Sequence, residues 1–407
     1  MSGILDGIRV LDLTRVLAGP WATQNLADLG AEVIKVERPG HGDDTRKWGP
    51  PFLKDREGRD TADAAYFLAC NRGKQSITLD IASETGRDLA RALAAKSDVL
   101  VENFKVGDLA RRGLDYASLA ATHPGLVYCS ITGFGQDGPY RDRPGYDFMV
   151  QGLGGLMSVT GERDAQPGGG PQKVGVAVAD LFTGMYATSA ILAALFARTR
   201  TGRGQRIDMA LLDTQVAMLA NLSSSYFVSG EVPGRMGNAH LNIVPYHVFK
   251  AREGFLIVAV GNDGQFGRFC DVIGAPEWPR DARFATNPAR VQHRDLLVDM
   301  ITAKLALRSA GEWLERLEPA GVPCGPINDL AQVFADPQVR HRGLAVHATH
   351  PVAGDITMVA NPMRFSETPI RHDMAPPLLG EHTERVLGEV LGLDAARIAR
   401  LREEQVI

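Results

Sequence analysis

The sequence of residues 8–36, IRVLDLTRVLAGPWATQNLADLGAEVIKV, decides the fold of this chain. The apolar run at 8–13 predicts a buried strand. The amphipathic pattern at 21–29 predicts a helix that Gly30 closes, and the apolar run at 33–36 predicts the next strand. A strand, a helix and a second strand in this order form a βαβ unit, in which the two strands pair in parallel.

The alternation of strands and helices continues after this unit. Further strands are predicted at 76–79, 98–101 and 126–131. Ser83 is placed to cap a helix, and a short helix is expected near Leu109. An apolar segment at 174–179 predicts one more strand, and a helix is expected at 180–197. We therefore predict an α/β fold with an open, mainly parallel sheet and helices on both faces.

The middle of the chain has a different pattern. Residues 223–321 combine a loop rich in Gly and Asn, an apolar strand at 255–260 and several helices. We predict that this region forms a smaller α+β domain.

Composition and charge exclude several classes of protein. The 407 residues include 44 Lys and Arg against 48 Asp and Glu, which gives a formal net charge of −4, and 44% of the residues are hydrophobic. These values are those of an ordinary globular protein, so a disordered tail, a fibre and a coiled coil are excluded. A dedicated nucleic-acid-binding protein would show a concentrated basic face, so no nucleic-acid partner is predicted.

Cysteine usage and the lengths of the apolar runs indicate a location. Cys70, Cys129, Cys270 and Cys324 lie far apart with no CxxC pair, which is typical of reduced thiols in the cytosol. The first residues do not resemble a signal peptide, and the longest apolar run, at 185–197, is too short and too interrupted to span a bilayer. The sequence therefore predicts a cytoplasmic protein without a membrane partner.

One glycine-rich motif resembles a dinucleotide site but lacks its context. Residues 133–138, GFGQDG, match GxGxxG after a strand, but Pro139 and a loop rich in Arg and Pro follow instead of a helix. The helix N-terminus that binds pyrophosphate is missing, so binding of NAD or flavin is disfavoured. The sequence has no GxxxxGK[ST], HExxH or GxSxG motif and no His and Cys residues at metal-ligand spacing, so no metal site is predicted.

Asp180 is open to two interpretations. It follows the apolar run at 174–179 and begins a predicted helix, where an aspartate commonly serves as the N-cap. It also stands at the carboxyl end of a predicted strand, where open α/β sheets bind ligands, and a carboxylate there can act as a covalent nucleophile. Position and spacing alone do not separate the two roles.

Four cations are predicted to follow successive strands of the sheet. They are Arg38, Lys74, Arg111 and Arg112. Side chains that follow parallel strands meet at one edge of the sheet, so these cations are expected to form a phosphate-binding surface.

Five segments of the chain resemble the family III coenzyme A transferases, in the same order along the sequence. The first is residues 7–46, which contain the βαβ unit. The others are VENFKVGDLARRGL at 101–114, VAVADLFTGMYA at 176–187, TGRGQRIDMALLD at 201–213 and PPLLGEHTERVL at 376–387. The resemblance extends over almost the whole chain.

The resemblance implies a role for named residues. Asp180 matches the aspartate that attacks an acyl-CoA donor, forms a mixed anhydride and then carries CoA as a thioester before transfer to an acceptor acid. The implied CoA contacts are Val16, Ala18, Arg38, Lys74, Asn103, Phe104 and Arg111. Coenzyme A and acyl-CoA are then substrates, and no permanently bound cofactor is expected. Tyr146, His240 and Asn242 are expected in the acyl pocket.

The resemblance also implies an architecture. A large Rossmann-like domain is expected from residues 1–200 and 326–407, a linker at 201–224 and a small inserted domain at 225–325. Two subunits are expected to interlock as a homodimer.

Two departures from the family bear on the substrate. Pro144 stands where some members carry a lysine, so that contact is lost or is made by Arg143. Residues 237–242, GNAHLN, replace the glycine-run loop of formyl- and oxalate-handling members, which disfavours an oxalate specialist.

The α-methylacyl-CoA racemases of the same superfamily provide an alternative function. They pair the matching aspartate with a histidine, but this chain has Tyr146 at that position, and an unperturbed tyrosine pKa near 10 makes it a poor proton carrier. A non-catalytic CoA-binding protein is a further alternative. We predict a CoA transferase that moves CoA from a donor such as succinyl-CoA to a small carboxylic or dicarboxylic acid.

Overall fold

The fold was analysed in a computed structural model that describes residues 3–407. Its strands are β1 Arg9–Asp12, β2 Glu32–Glu37, β3 Phe52–Lys54, β4 Asp60–Ala64, β5 Lys74–Thr78, β6 Val99–Glu102, β7 Val127–Thr132, β8 Arg206–Ala210, β9 Tyr246–Lys250, β10 Phe255–Ala259, β11 Cys324–Pro326, β12 Ala345–His350 and β13 Gly354–Val359. Its helices are α1 Ala18–Asp28, α2 Ala65–Leu68, α3 Glu84–Ala94, α4 Tyr116–Ala120, α5 Asp147–Leu153, α6 Leu156–Val159, α7 Val178–Thr201, α8 Leu211–Met218, α9 Ala220–Ser229, α10 Asp263–Ile273, α11 Asn287–Gln292, α12 Arg294–Leu305, α13 Ala310–Leu317, α14 Leu330–Ala335, α15 Pro337–His341, α16 Thr383–Leu391 and α17 Ala395–Glu403.

A six-stranded sheet in the order β5-β2-β1-β6-β7-β8 forms the centre of the larger part of the chain. Every neighbouring pair in it is parallel. The prediction of an α/β fold with a mainly parallel sheet is therefore confirmed. Because the strands are parallel, the loops after β1, β2, β6 and β7 all leave from one edge of the sheet.

Helices cover both faces of this sheet, as predicted. Side chains alternate along β1, so Val10 packs into the core beneath α1 and α7, and Leu11 packs into the opposite core beneath α3, α16 and α17. Both side chains are fully buried. A sheet buried on both faces explains why the strand sequences are continuous apolar runs.

The strand predicted at 174–179 is wrong. Helix α7 begins at Val178, and residues 174–177 belong to no strand. The Val174 N–H donates to Oε1 of Gln151 (2.9 Å) rather than to a neighbouring strand, and Val176 is 57% exposed. An apolar run does not become a strand without a neighbouring strand to pair with it.

Contacts divide the described chain into two compact units. The larger consists of residues 3–156, 174–224 and 338–407, and the smaller consists of residues 157–173 and 225–337. The smaller unit contains the antiparallel sheet β11-β10-β9, with Phe249 and Leu256 in a core of its own.

These boundaries differ from the predicted ones in three segments. Residues 201–224 are not a linker, because they contain β8, the edge strand of the large sheet. Residues 157–173 and 326–337 fall in the smaller unit instead of the larger. Residues 157–173 join it through backbone contacts such as the hydrogen bond from the Gly237 N–H to the Gly161 carbonyl (3.1 Å).

Buried ion pairs join the first strands of the large sheet to the loops that follow them. Lys35 on β2 donates to Oδ2 of Asp43 (2.9 Å) and to the Thr14 carbonyl (2.9 Å). Lys35 and Asp43 are both closed off from solvent. Burial alone would lower the pKa of Lys35, but the carboxylates around it, led by Asp43, raise it instead. The lysine therefore stays charged inside the protein.

A second buried pair joins β5 to β1. Lys74 donates to Oδ2 of Asp12 (3.1 Å), to the Pro20 carbonyl (2.9 Å) and to Oδ1 of Asn71 (2.9 Å). Burial would raise the pKa of Asp12, but the charges of Lys74 and Lys35 and two threonine hydrogen bonds outweigh it and hold this pKa at about 2. Asp12 therefore stabilises the fold above its unfolded pKa near 4, and that stabilisation is lost as the pH falls towards 2.

We expect Lys35→Met to destabilise the protein by about 3–5 kcal/mol, because Asp43 would be left buried without its counter-ion. Urea unfolding at pH 7 measures the change. Lys54→Met is the matched control, since Lys54 pairs with Asp60 while 59% exposed, and exposed pairs contribute at most about 1 kcal/mol. Equal losses in the two variants would contradict the structural role of the buried pair.

Candidate active site

A cavity of about 360 Å³ opens at the carboxyl edge of the large sheet. Its walls come from the turn after β1, the loops after β6 and β7, the segment 141–146 and the first turn of α7. All of the lining residues belong to the larger unit. This is the edge at which open α/β sheets bind their ligands.

Most of the residues predicted for the site line this one cavity. They are Val16, Ala18, Asn103, Phe104, Arg111, Tyr146 and Asp180. Arg38 and Arg112 line an adjacent cavity of about 420 Å³ that shares Arg15 and Phe104 with the first. The structure thus gathers residues from five separate segments of the sequence.

Lys74 lines neither of these two cavities. It is the first residue of β5 and lies at the amino end of that strand, and its ammonium is fully buried among Asp12, Pro20 and Asn71. The expectation that it follows a strand beside Arg38 is wrong, because Lys74 precedes the apolar run at 76–79 and is itself the first residue of β5. Its charge supports the core instead of facing a cavity.

His240 and Asn242 lie in the smaller unit. The His240 Nδ1 accepts the Asn242 backbone N–H (3.0 Å), and its ring packs on Tyr246 with centroids 5.2 Å apart. The Arg294 side chain donates to the His240 carbonyl (2.8 Å). These contacts order the loop at 237–242, and the assignment of both residues to an acyl pocket stays a prediction.

The turn after β1 carries a strained residue. Val16 has φ of 72°, a left-handed conformation that a β-branched side chain rarely adopts. Its N–H donates to Oδ1 of Asp43 (3.3 Å), and its carbonyl accepts the Cys70 thiol (3.6 Å). The buried Lys35–Asp43 pair therefore reaches the wall of the cavity, and strain held by its surroundings is typical of functional sites.

The first glycine of the GxGxxG match, Gly133, has a steric role. A Cβ at Gly133 would lie 2.4 Å from the Gly145 Cα, and a Cβ at Gly145 would lie 2.2 Å from the Gly133 Cα. The two loops thus touch backbone to backbone, and no side chain fits between them. This contact fixes the segment 141–146, which includes Tyr146, at the end of β7.

The Asp147 side chain accepts hydrogen bonds from backbone N–H groups in the first turn of α7, although Asp147 is not part of that helix. Its Oδ1 accepts the N–H groups of Ala179 (2.8 Å) and Asp180 (3.4 Å), and its Oδ2 accepts from the Gln151 amide (2.7 Å). A carboxylate at a helix N-terminus satisfies free N–H groups and the helix dipole. The N-cap interpretation of Asp180 is wrong, because Ala177 occupies the cap position and Asp180 lies in the first turn.

The environment of Asp180 favours its neutral form. Burial, followed by the nearby negative charge of Asp147, raises the pKa of Asp180 from 3.8 to about 7. A carboxyl that titrates near neutral pH in a cavity is a candidate for catalysis. Asp147 thus positions the Asp180 backbone and also raises the pKa of its side chain.

Sequence reasoning did not find every group near Asp180. Burial, followed by the charge of Asp180, raises the pKa of Tyr66 to about 12, so this tyrosine on α2 lies within electrostatic range of it. Its ring packs edge-on against Trp48 with centroids 5.2 Å apart. No local motif marks Tyr66, which reaches the site only through tertiary packing. Within residues 3–407, no three His, Cys, Asp or Glu side chains cluster as metal ligands.

Comparison with known proteins gives one consistent result. A family model described as CoA-transferase family III matches residues 5–383. The succinate–glutarate CoA-transferase of Agrobacterium fabrum is 52% identical over 386 residues, which are 95% of each chain. The human succinyl-CoA:glutarate CoA-transferase is 43% identical over 99% of this chain and 90% of its own. A crystal structure of a CAIB/BAIF family protein from Brucella suis superposes with a TM-score of 0.85 at 50% identity, covering 96% of this chain and all of that one.

Removing the Asp180 charge is expected to stabilise the protein at high pH. Since folding raises this pKa from 3.8 to about 7, the wild type loses stability as the pH rises through that range. We expect Asp180→Asn to be more stable than the wild type by about 2 kcal/mol at pH 8, with little difference at pH 4. Urea unfolding at both pH values measures this.

Asp142→Asn is the matched control for this measurement, because Asp142 lines the same cavity but is 80% exposed. We expect its stability to follow that of the wild type at both pH values. A gain for Asp180→Asn that is the same at pH 4 and pH 8 would contradict the raised pKa.

Proposed function

Because the chain belongs to CoA-transferase family III and is a CoA-transferase, we propose that it moves CoA from succinyl-CoA to glutarate or a similar dicarboxylic acid. The observation that carries this proposal is the position of Asp180. Its carboxyl lies in a cavity at the ligand-binding edge of the sheet, together with most of the predicted CoA contacts. Relatives that share about half of their residues with this chain are named for succinate and glutarate.

In the proposed mechanism Asp180 is the nucleophile. Its carboxylate attacks the thioester carbonyl of the donor, which forms a mixed anhydride and releases the CoA thiolate. The thiolate then attacks the Asp180 carbonyl, which frees the donor acid and leaves CoA on Asp180 as a thioester. The acceptor carboxylate attacks this thioester to give a second anhydride and thiolate. Attack of the thiolate on the acceptor carbonyl yields the new acyl-CoA and restores Asp180.

Asp147 favours the covalent steps of this mechanism. Ionised Asp180 is repelled by the carboxylate of Asp147, whereas the anhydride and the thioester on Asp180 are neutral. Forming either intermediate therefore relieves the repulsion. A carboxylate that titrates near pH 7 is also a stronger base, and a better nucleophile, than one with an ordinary pKa.

The cations around the two cavities are placed to bind the CoA part of the substrate, which carries negatively charged phosphates. Arg38 and Arg112 line one cavity, and Lys105 and Arg111 line the other. We assign the phosphates of CoA to the cavity of Arg38 and Arg112, with the pantetheine arm reaching Asp180 through the shared wall at Phe104. Lys74 has no part in this assignment, since its donors are all used inside the core.

We also propose that the protein is the interlocked homodimer that its family resemblance implies. Helix α7 is long and apolar enough to cross a membrane by length and composition. One side of it packs against α1 in the core, but Phe182, Met185, Tyr186 and Phe196 on it remain 41–64% exposed. A second copy that covers this side accounts for the exposed apolar area. Sedimentation velocity tests the assembly, and a cytoplasmic location stays a prediction from the sequence.

A transfer assay tests the proposed reaction. Purified protein with succinyl-CoA and glutarate is expected to yield glutaryl-CoA and succinate, and Asp180→Ala is expected to lower turnover by at least ~1000-fold. Mass spectrometry of the acyl-CoA products measures both. Asp142→Ala, which changes a carboxylate on the same cavity, is expected to keep most of the activity.

Two results would contradict the proposed reaction. One is full turnover by Asp180→Ala. The other is exchange of the α-proton of a 2-methylacyl-CoA into deuterated water without an acceptor acid, which is racemase chemistry.

Asp147→Asn provides a test of how Asp180 is tuned. The asparagine oxygen can still accept the Ala179 N–H, but the negative charge is gone, so the pKa of Asp180 is expected to fall below about 7. Since the ionised carboxylate is the nucleophile, kcat/KM rises with pH through this pKa. We expect the acid limb of the pH profile to move to lower pH in Asp147→Asn and to stay in place in Asp142→Asn. An unmoved limb in Asp147→Asn would refute the tuning role.

A further inference from the structure

The wall of the Asp180 cavity carries five cations in addition to Arg38 and Arg112, to which the CoA phosphates are assigned. Its cations are Arg15, Lys105, Arg111, Arg141 and Arg143. Three of them have carboxylate partners in the protein: Arg15 pairs with Asp44 (3.6 Å), Arg141 pairs with Asp142 (3.4 Å), and Arg111 pairs with Asp108. Arg143 and Lys105 have none among the described residues.

Arg143 rests on an aromatic platform. Its guanidinium lies 4.4 Å from the ring centroid of Tyr140 and 5.4 Å from that of Phe134. The two rings pack edge to face with centroids 5.6 Å apart. Stacking holds a guanidinium by its face and leaves the N–H groups at its edge free to donate to a planar anion.

The backbone that follows Arg143 is fixed at two points. Gly145 touches Gly133 at the end of β7, and Asp147 is bonded to the first turn of α7, which carries Asp180. Arg143 lies just before these two anchor points and lines the same cavity as Asp180 and Tyr146. Its side chain is therefore part of the wall of the cavity that contains Asp180.

We propose that Arg143 binds the distal carboxylate of a dicarboxylic acyl group while the other end of that group reacts at Asp180. This inference rests on the proposed function and names the residue that selects its substrate class. A dicarboxylic acyl group keeps one carboxylate after the other has become a thioester or an anhydride. Bringing that carboxylate into the cavity costs free energy unless a cation meets it, and arginine binds a carboxylate through two parallel N–H donors.

Lys105 is the competing cation and serves as the matched control. Its ammonium is a point charge on a flexible stem, and the residue also lines a neighbouring cavity of about 310 Å³ beside Glu102 and Tyr128. That position at the junction of two cavities suits a contact to CoA. A change at Lys105 is therefore expected to affect all acyl groups alike.

The experiment compares Arg143→Met and Lys105→Met with dicarboxylic and monocarboxylic substrates. The donors are succinyl-CoA and butyryl-CoA, and the acceptors are glutarate and butyrate. For Arg143→Met we expect the KM values of succinyl-CoA and glutarate to rise by about 10- to 100-fold, while those of butyryl-CoA and butyrate stay within about twofold. Arg143→Lys is expected to recover part of the loss, and the affinity for free CoA is expected to stay unchanged.

Several outcomes would overturn the inference. If Arg143→Met raises KM for both kinds of acyl group equally, or weakens free CoA binding, Arg143 contacts CoA and does not select the acid. If Lys105→Met alone loses the preference for dicarboxylates, that lysine is the selecting residue. If the wild type transfers CoA only to monocarboxylic acids, the proposed substrate class fails and the inference fails with it. If the wild type uses glutarate and Arg143→Met does so equally well, the inference alone fails.

Discussion

The buried pair between Lys35 and Asp43 is the contact on which the cavity depends. Neither side chain reaches solvent, so each needs the other to stay charged. Lys35 also donates a hydrogen bond to the Thr14 carbonyl. Asp43 accepts hydrogen bonds from the Val16 N–H and from the Thr45 hydroxyl. The strained turn after β1 is thus fixed from within the protein. Because this turn forms a wall of the cavity, the geometry of the site depends on this buried charge pair.

A second constraint acts at the other wall, where two carboxylates approach one helix N-terminus. The N–H groups at the start of α7 attract negative charge, and Asp147 takes that position. Asp180, one residue after Ala179, then has to ionise beside a charge that is already present. The repulsion between the two carboxylates destabilises the free enzyme, and it disappears when Asp180 becomes a neutral anhydride or thioester. A stability cost at the site and a reactive carboxylate therefore have the same physical origin.

The sequence was informative where local patterns and tertiary packing agree. The strands at 8–13 and 33–36 and the helix between them form as predicted, because a strand buried on both faces must be apolar throughout. The segment at 174–177 has a similar pattern but no partner strand, so periodicity alone gave the wrong structure. Lys74 was misplaced because it precedes the apolar run instead of following a strand, and its ammonium binds the buried carboxylate of Asp12, a tertiary contact that no local pattern identifies. Tyr66 and Asp147 reach Asp180 through packing between distant segments, and no spacing rule identifies such contacts.

In the proposed reaction Asp180 itself joins covalently to the acids that exchange CoA, and oxygen exchange tests this covalent role most directly. In the proposed mechanism the acceptor carboxylate attacks the thioester on Asp180, and the anhydride then breaks on the acceptor side. One acceptor oxygen therefore stays on Asp180. After turnover with succinyl-CoA and glutarate labelled with oxygen-18 in its carboxylates, mass spectrometry of the peptide that contains Asp180 is predicted to find the label on this residue. Complete turnover that leaves Asp180 unlabelled would contradict the mechanism.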